Sequence, residues 1–123
     1  MKWNLSADRP IYAQLIEQIT SAIVAGEYQP REKLPSVRDL AEEAAVNPNT
    51  MQKALAELER SGLVYTQRTA GRYITEDKAM LKKIKEDIAL TQIHQFLEQM
   101  GRLGLTPQEI AALVAREASA GPA

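Results

Sequence analysis

The segment Val46-Asn47-Pro48-Asn49-Thr50 constrains the fold of this chain more than any other. It is a tight turn between two stretches with helical apolar spacing. Asn47 suits the N-cap of a following helix, because its side-chain oxygen can take an orphan amide. Pro48 suits the first helical position, where an amide is not needed. Met51, Ala54, Leu55 and Leu58 then recur on one side, and Gly62 ends the stretch. Upstream, Ser36-Val37-Arg38-Asp39 is a start of the capping-box type. Val37, Leu40, Ala41 and Ala44 give the apolar side of a helix reaching about Ala45.

The flanks extend the pattern. Ile11, Leu15, Ile16, Ile19 and Ile23 predict a first helix over residues 10–25, with Pro10 in its first turn, Asp8 or Arg9 before it and Gly26 after it. Tyr28 to Leu34 is a short turn from which Leu34 plugs the core. Residues 63–67 and 72–75 have strand propensity, and Arg68-Thr69-Ala70-Gly71 would turn between them. A helix is predicted from about Glu76 to Met100, broken by Gly101 and Gly104. Thr106-Pro107-Gln108-Glu109 starts a last helix reaching about Ala118, with a frayed tail to Ala123. The expected fold is mainly α with a small β-hairpin. Helix, tight turn, helix and hairpin are the order of a winged helix-turn-helix domain, here residues 1–75, followed by a two-helix region over 76–123.

Composition removes several function classes. With no cysteine there is no disulfide, thiolate metal site or thiol nucleophile. His94 is the one histidine, and no spacing supports a Ser-His-Asp or paired-carboxylate arrangement, so no enzyme, metal or cofactor is expected. The N-terminal stretch lacks the apolar run of a signal peptide, and no stretch is long and apolar enough to span a membrane, which fits a cytoplasmic protein. Net charge is −1, and residues 1–75 carry equal numbers of acidic and basic side chains. A nucleic-acid binder with that balance must have its cations sorted onto one face by the fold.

Residues 10–74 resemble the GntR family of bacterial regulators. The likeness runs through Pro10-Ile11-Tyr12 with Gln14, then Gly26 and Pro30, then Lys33-Leu34-Pro35-Ser36 with Arg38, Leu40 and Ala41. It continues through Val46, Asn49-Thr50, Ala54, Leu58, Gly62-Leu63 and Gly71. The family pattern usually has glycine where Arg31 and Thr69 stand, and often glutamate where Val37 stands. Val37 and the Asn-Pro-Asn-Thr turn are similar to the short YtrA-like branch, as is a tail too small for a large effector domain. The resemblance implies a homodimer on double-stranded operator DNA, usually repressing an operon that often encodes an ABC transporter.

Candidate contacts follow from chemistry. The leading end of the third helix offers Asn47, Asn49, Thr50, Gln52 and Lys53, side chains suited to base edges and phosphates. Capping by Asn47 and an ordinary solvated face for the others are the plain alternatives. Arg38 sits in a helix first turn, an unfavourable end for a cation, which a phosphate or guanine would justify. A salt bridge to Glu42 would justify it too. Ser36 can cap or touch phosphate. Arg68 and Arg72, with Thr69 and Gly71 beside them, form a hairpin tip that can enter a minor groove or simply be solvated.

In the tail, Leu81, Ile84 and Ile88 make one apolar seam and Ile93, Leu97 and Met100 a second. A second copy could cover them, as could the chain's own N-terminal helix. A small-molecule effector is compatible with a cleft near the tail, though no constellation identifies one. The alternative function is a winged-helix module that binds protein and not DNA.

Overall fold

The computed structural model describes residues 1–68 and 70–121. Among them are five helices and one antiparallel hairpin, in the order α1 (Ile11–Val24), α2 (Val37–Ala44), α3 (Pro48–Arg60), β1 (Val64–Gln67), β2 (Gly71–Ile74), α4 (Lys78–Arg102) and α5 (Pro107–Ala120). This is the mainly helical, winged helix-turn-helix architecture that the element order predicts.

The chain divides into two units, Met1–Lys85 and Glu86–Ala123. The division falls inside α4. The reason is that Met80, Leu81 and Ile84 are partly buried against the first unit's core.

That core is aliphatic. Leu15 and Ile19 from α1, Leu40 from α2, Met51 and Leu55 from α3, and Val64 and Ile74 from the hairpin are all fully buried. Burying one such side chain stabilises the fold by roughly 1.5–3 kcal/mol. Leu34 plugs the core from the turn after α1, as its position predicts.

Local chemistry sets the helix ends. Pro10 is the N-cap of α1, one step earlier than its expected first-turn place, and makes no side-chain cap. Ser36 Oγ accepts the amide of Asp39 at 3.1 Å and starts α2. Asn47 Oδ1 accepts the amide of Asn49 at 2.8 Å and starts α3. A full capping box, with both reciprocal bonds, joins Thr106 and Glu109 at the start of α5.

Two features go beyond the sequence expectation. The extended stretch before α1 packs Met1, Trp3 and Leu5 against the core and is bonded along α1 by glutamine side chains. In addition, the turn after α1 continues the sheet. Arg31 N donates to Ile74 O, Ile74 N to Glu32 O and Leu34 N to Arg72 O, each at 2.9 Å. The strand β2 is therefore bonded on both edges. Arg31 has φ 69°, the left-handed region that explains a glycine preference there.

The second unit holds the rest of α4, together with α5. Gly101 lies within α4, and only Gly104, at φ 85°, takes a backbone that ends a helix. Strong helix formers carry α4 through Gly101. The last helix runs to Ala120, past the expected fraying point; Pro122 and Ala123 lie outside the described residues.

Candidate nucleic-acid interface

The turn between α2 and α3 is built from three backbone devices. Ala45 closes α2 in the left-handed conformation, φ 57° and ψ 47°, which reverses the chain within a residue. Val46 N then donates to Ala41 O at 3.0 Å. Asn47 next accepts twice through its carbonyl, from Thr50 at 3.0 Å and Met51 at 3.1 Å, while its side chain holds Asn49. Asn47 is thus a cap with its side-chain oxygen engaged.

This geometry buries Met51, Ala54, Leu55 and Leu58 and turns the leading end of α3 outward. Asn49, Gln52 and Lys53 are exposed and Thr50 is half-buried. Thr50 and Lys53 also line an open groove of about 600 Å³, together with Tyr12 of α1 and Glu57 and Arg60 further along α3. The side chains available at this end are amides, a hydroxyl and one ammonium, the groups that hydrogen-bond base edges and phosphates.

The Arg38 side chain is exposed and makes no hydrogen bond or ion pair among the described residues. The salt bridge with Glu42 that could have explained it is absent. Ser36 is spoken for as a cap.

The hairpin places its two arginines differently. Arg68 is exposed, in the left-handed region at φ 38°, with no ion pair among the described residues. Arg72 is only 20% exposed, and its Nε lies 3.3 Å from Glu59 Oε1 on α3. Sequence position alone groups the two as one tip; the fold gives Arg72 an internal partner. Thr69 lies outside the described residues. Gly71 has φ 108°, and a Cβ there would sit 2.9 Å from Lys33 Cε. The backbone conformation there favours glycine, while the end of the lysine side chain over it could move aside.

Lys33 was not among the expected contacts. It reaches the turn end of the hairpin and lines a cleft of about 650 Å³ with Ser36, Asp39, Gly71 and Arg72. Its place in the Lys33-Leu34-Pro35-Ser36 run was the available signal.

The cations of residues 31–74 therefore sort into two groups. Arg31, Arg60 and Arg72 are paired with Glu76, Glu57 and Glu59. Lys33, Arg38, Lys53 and Arg68 have no ion pair among the described residues. Those four lie beside the turn end of the hairpin, at the start of α2, in the leading turns of α3 and at the hairpin tip. Glu32, Asp39 and Glu42 have no ion pair among the described residues either, so these cations are distinguished by where they stand and not by an excess of charge.

The expected dimerisation residues fall in two environments. Leu81 and Ile84 are partly buried against the chain's own first core. Ile88 and Met100 are half-buried, whereas Ile93 and Leu97 remain 48% and 41% exposed. The second unit also exposes Leu90, Phe96, Leu113 and Val114, the last three lining a shallow, mostly apolar groove of about 530 Å³. Among the described residues, no three His, Cys, Asp or Glu side chains cluster as metal ligands, and no helix is long and apolar enough to cross a membrane.

Comparison with known proteins gives consistent matches. The model of the family described as bacterial regulatory proteins, gntR family, matches residues 11–74. The chain is 43% identical to the HTH-type transcriptional repressor YtrA of Bacillus subtilis over 89 residues, 72% of this chain and 68% of that one. Among solved structures, it is similar to a GntR family transcriptional regulator from Listeria monocytogenes, with TM-score 0.83 and 40% identity over 91% of this chain and 98% of the other. It is also similar to the DNA-binding domain of AraR in complex with operator ORE1, with TM-score 0.52 and 30% identity over 61% of this chain and 94% of that domain.

Proposed function

Because this chain belongs to the gntR family of bacterial regulatory proteins, we propose that it is a sequence-specific transcription regulator acting as a homodimer on double-stranded operator DNA. Its relatives are transcriptional regulators and not enzymes. The observation that carries the DNA-binding reading is the sorting of charge. Four cations without ion pairs among the described residues occupy the elements a winged helix presents to a duplex, while neighbouring arginines are paired with carboxylates of the same chain.

On this reading the leading end of α3 enters the major groove. Asn49, Gln52 and Lys53 meet base edges or phosphates, with Thr50 beside them. Arg38 takes a phosphate or a guanine, and Arg68 follows the minor groove. Lys33 adds a phosphate contact beside the turn end of the hairpin. Asn47 and Ser36 act chiefly as caps that aim these groups.

Ile93, Leu97, Leu113 and Val114 form the apolar surface that a second copy covers. Two modules on one operator multiply a small number of contacts and add the effective concentration of linkage. Repression is the action named for YtrA, and we carry it to this chain. Following the resemblance to the YtrA-like branch, the regulated operon encodes an ABC transporter. The protein works in the cytoplasm, where operators are.

The test is selection of bound duplexes from a random-sequence pool, followed by a mobility-shift titration at two salt concentrations. A recurrent two-fold symmetric site, held less tightly as salt rises, is expected. No recurrent sequence, or no retained duplex even at low salt, would overturn the reading and favour a protein-binding module.

A further inference from the structure

We propose that Glu59 is a positioning residue for DNA binding, a carboxylate clasp that locks the hairpin to the helix that reads bases. The inference rests on the DNA-binding reading above. Glu59 lies near the far end of α3. Its Oε1 accepts from Thr66 Oγ1 on β1 and from Arg72 Nε on β2, the latter at 3.3 Å. Thr66 and Arg72 are direct partners in the hairpin register, so one oxygen holds both strands at the same level.

Strand alternation explains why the clasp is needed. The pair Val64 and Ile74 is buried and anchors the base of the hairpin in the core. The next pair, Tyr65 and Tyr73, stacks on the opposite face with ring centroids 5.8 Å apart. Thr66 and Arg72 return to the core side, but beyond the last buried residues. On that side polar bonds to Glu59 tie this level to α3. Arg68 lies just past it.

A duplex is gripped well only if base contacts from α3 and groove contacts from the hairpin form together. A rigid link makes the second contact effectively intramolecular; a loose one loses that advantage. Glu59 also has a sign that separates this role from a plain surface charge. A surface acid repels phosphate, so removing it should strengthen binding to every duplex. Removing a clasp should instead weaken binding to the cognate site relative to other DNA.

Wild type, Glu59→Ala and Glu59→Gln are compared on the duplex recovered by selection and on a scrambled duplex of the same composition. Glu59→Ala should lower the cognate-to-scrambled affinity ratio about tenfold. Glu59→Gln, which keeps an acceptor oxygen, should stay within about threefold of wild type. In the free protein, amide exchange at Thr66, Gln67, Gly71 and Arg72 should quicken about tenfold in Glu59→Ala while that of Ile19 and Leu55 is unchanged. If Glu59→Ala binds both duplexes as tightly as wild type or more so, or leaves hairpin exchange unchanged, the clasp is refuted and the regulator reading stands. If wild type selects no duplex, the regulator reading falls and the positioning role falls with it.

Discussion

Gln14 and Ser6 exchange a reciprocal pair of hydrogen bonds. The Ser6 amide donates to Gln14 Oε1 at 2.8 Å, and Gln14 Nε2 donates back to the Ser6 carbonyl at 2.8 Å. One turn further along α1, Gln18 repeats the arrangement with Asn4 at 2.9 and 2.8 Å. The two periods match: four residues of helix rise about 6 Å, and two residues of extended chain about 6.6 Å. Glutamines at i and i+4 therefore serve a strand-like segment as a neighbouring strand would.

Gln14 is buried, and its Nε2 also reaches the Arg9 carbonyl at 2.9 Å, whereas Gln18 is only half-buried. Gln14→Ala should therefore cost about 1–3 kcal/mol of stability, and Gln18→Ala less than about 1 kcal/mol. Urea unfolding of both variants checks this. Equal losses at the two positions would mean that the segment is not held through Gln14.

That segment also shows what the sequence could not disclose. The helices α1, α2, α3 and α5 were legible because apolar spacing and capping residues report local forces. Residues 1–9 carry no periodic signal, since their bonds go to side chains on another element. The strand-like run at 31–34 was hidden for a similar reason: it is short, and Arg31 stands in a conformation that reads as a turn. At the candidate interface, residue type and position marked Arg38, Asn49 and Gln52. The difference between Arg68 and Arg72 needed Glu59, thirteen residues from Arg72 in the chain, to be brought beside one of them.

Arg31 supplies a second prediction. A non-glycine residue in the left-handed region is strained by its Cβ, and the exposed ion pair with Glu76, 3.5 Å long, offsets little of that cost. Arg31→Gly should raise stability by about 0.5 kcal/mol, the relief of strain exceeding the added freedom of the unfolded chain. A thermal melt decides the sign; a fall in Tm would show that the arginine side chain matters more than its backbone.

The capping box of α5 carries a pH dependence. Thr106 N donates to Glu109 Oε1 at 3.0 Å, and this bond holds the Glu109 carboxyl below the ordinary glutamate value. A carboxyl with a depressed pKa in the folded state stabilises it at pH above the ordinary value, and the gain is lost as pH falls through the depressed one. Acidification should thus loosen the first turn of α5 only below the range where exposed glutamates titrate. A carboxyl-resolved NMR titration tests this, and Glu109 titrating with the exposed glutamates would contradict it.

The second unit's exposed apolar residues lead to a test of assembly. Wild type should sediment as a dimer at micromolar concentration. The double variant Ile93→Glu and Leu97→Glu should be monomeric, because it buries two unpaired carboxylates at the proposed contact. Its helical circular dichroism should persist, since both side chains are already exposed. Operator affinity should fall at least about tenfold once linkage is lost. A monomeric wild type, or a variant that remains dimeric, would place the interface elsewhere.

Arg38 and Arg72 give the sharpest contrast, because the fold uses one and leaves the other unused. Arg38 has no internal partner among the described residues, so Arg38→Ala should leave the melting temperature unchanged. It should weaken operator binding by about 1–3 kcal/mol and reduce the salt slope by about one. Arg72→Ala breaks the bond to Glu59 and should loosen the hairpin while leaving the salt slope nearly as it was. A mobility-shift series over several salt concentrations, run beside thermal melts, separates the two. If Arg38→Ala melts lower and binds DNA normally, its guanidinium serves the fold. If Arg72→Ala lowers the salt slope as Arg38→Ala does, Glu59 releases its arginine to phosphate on binding.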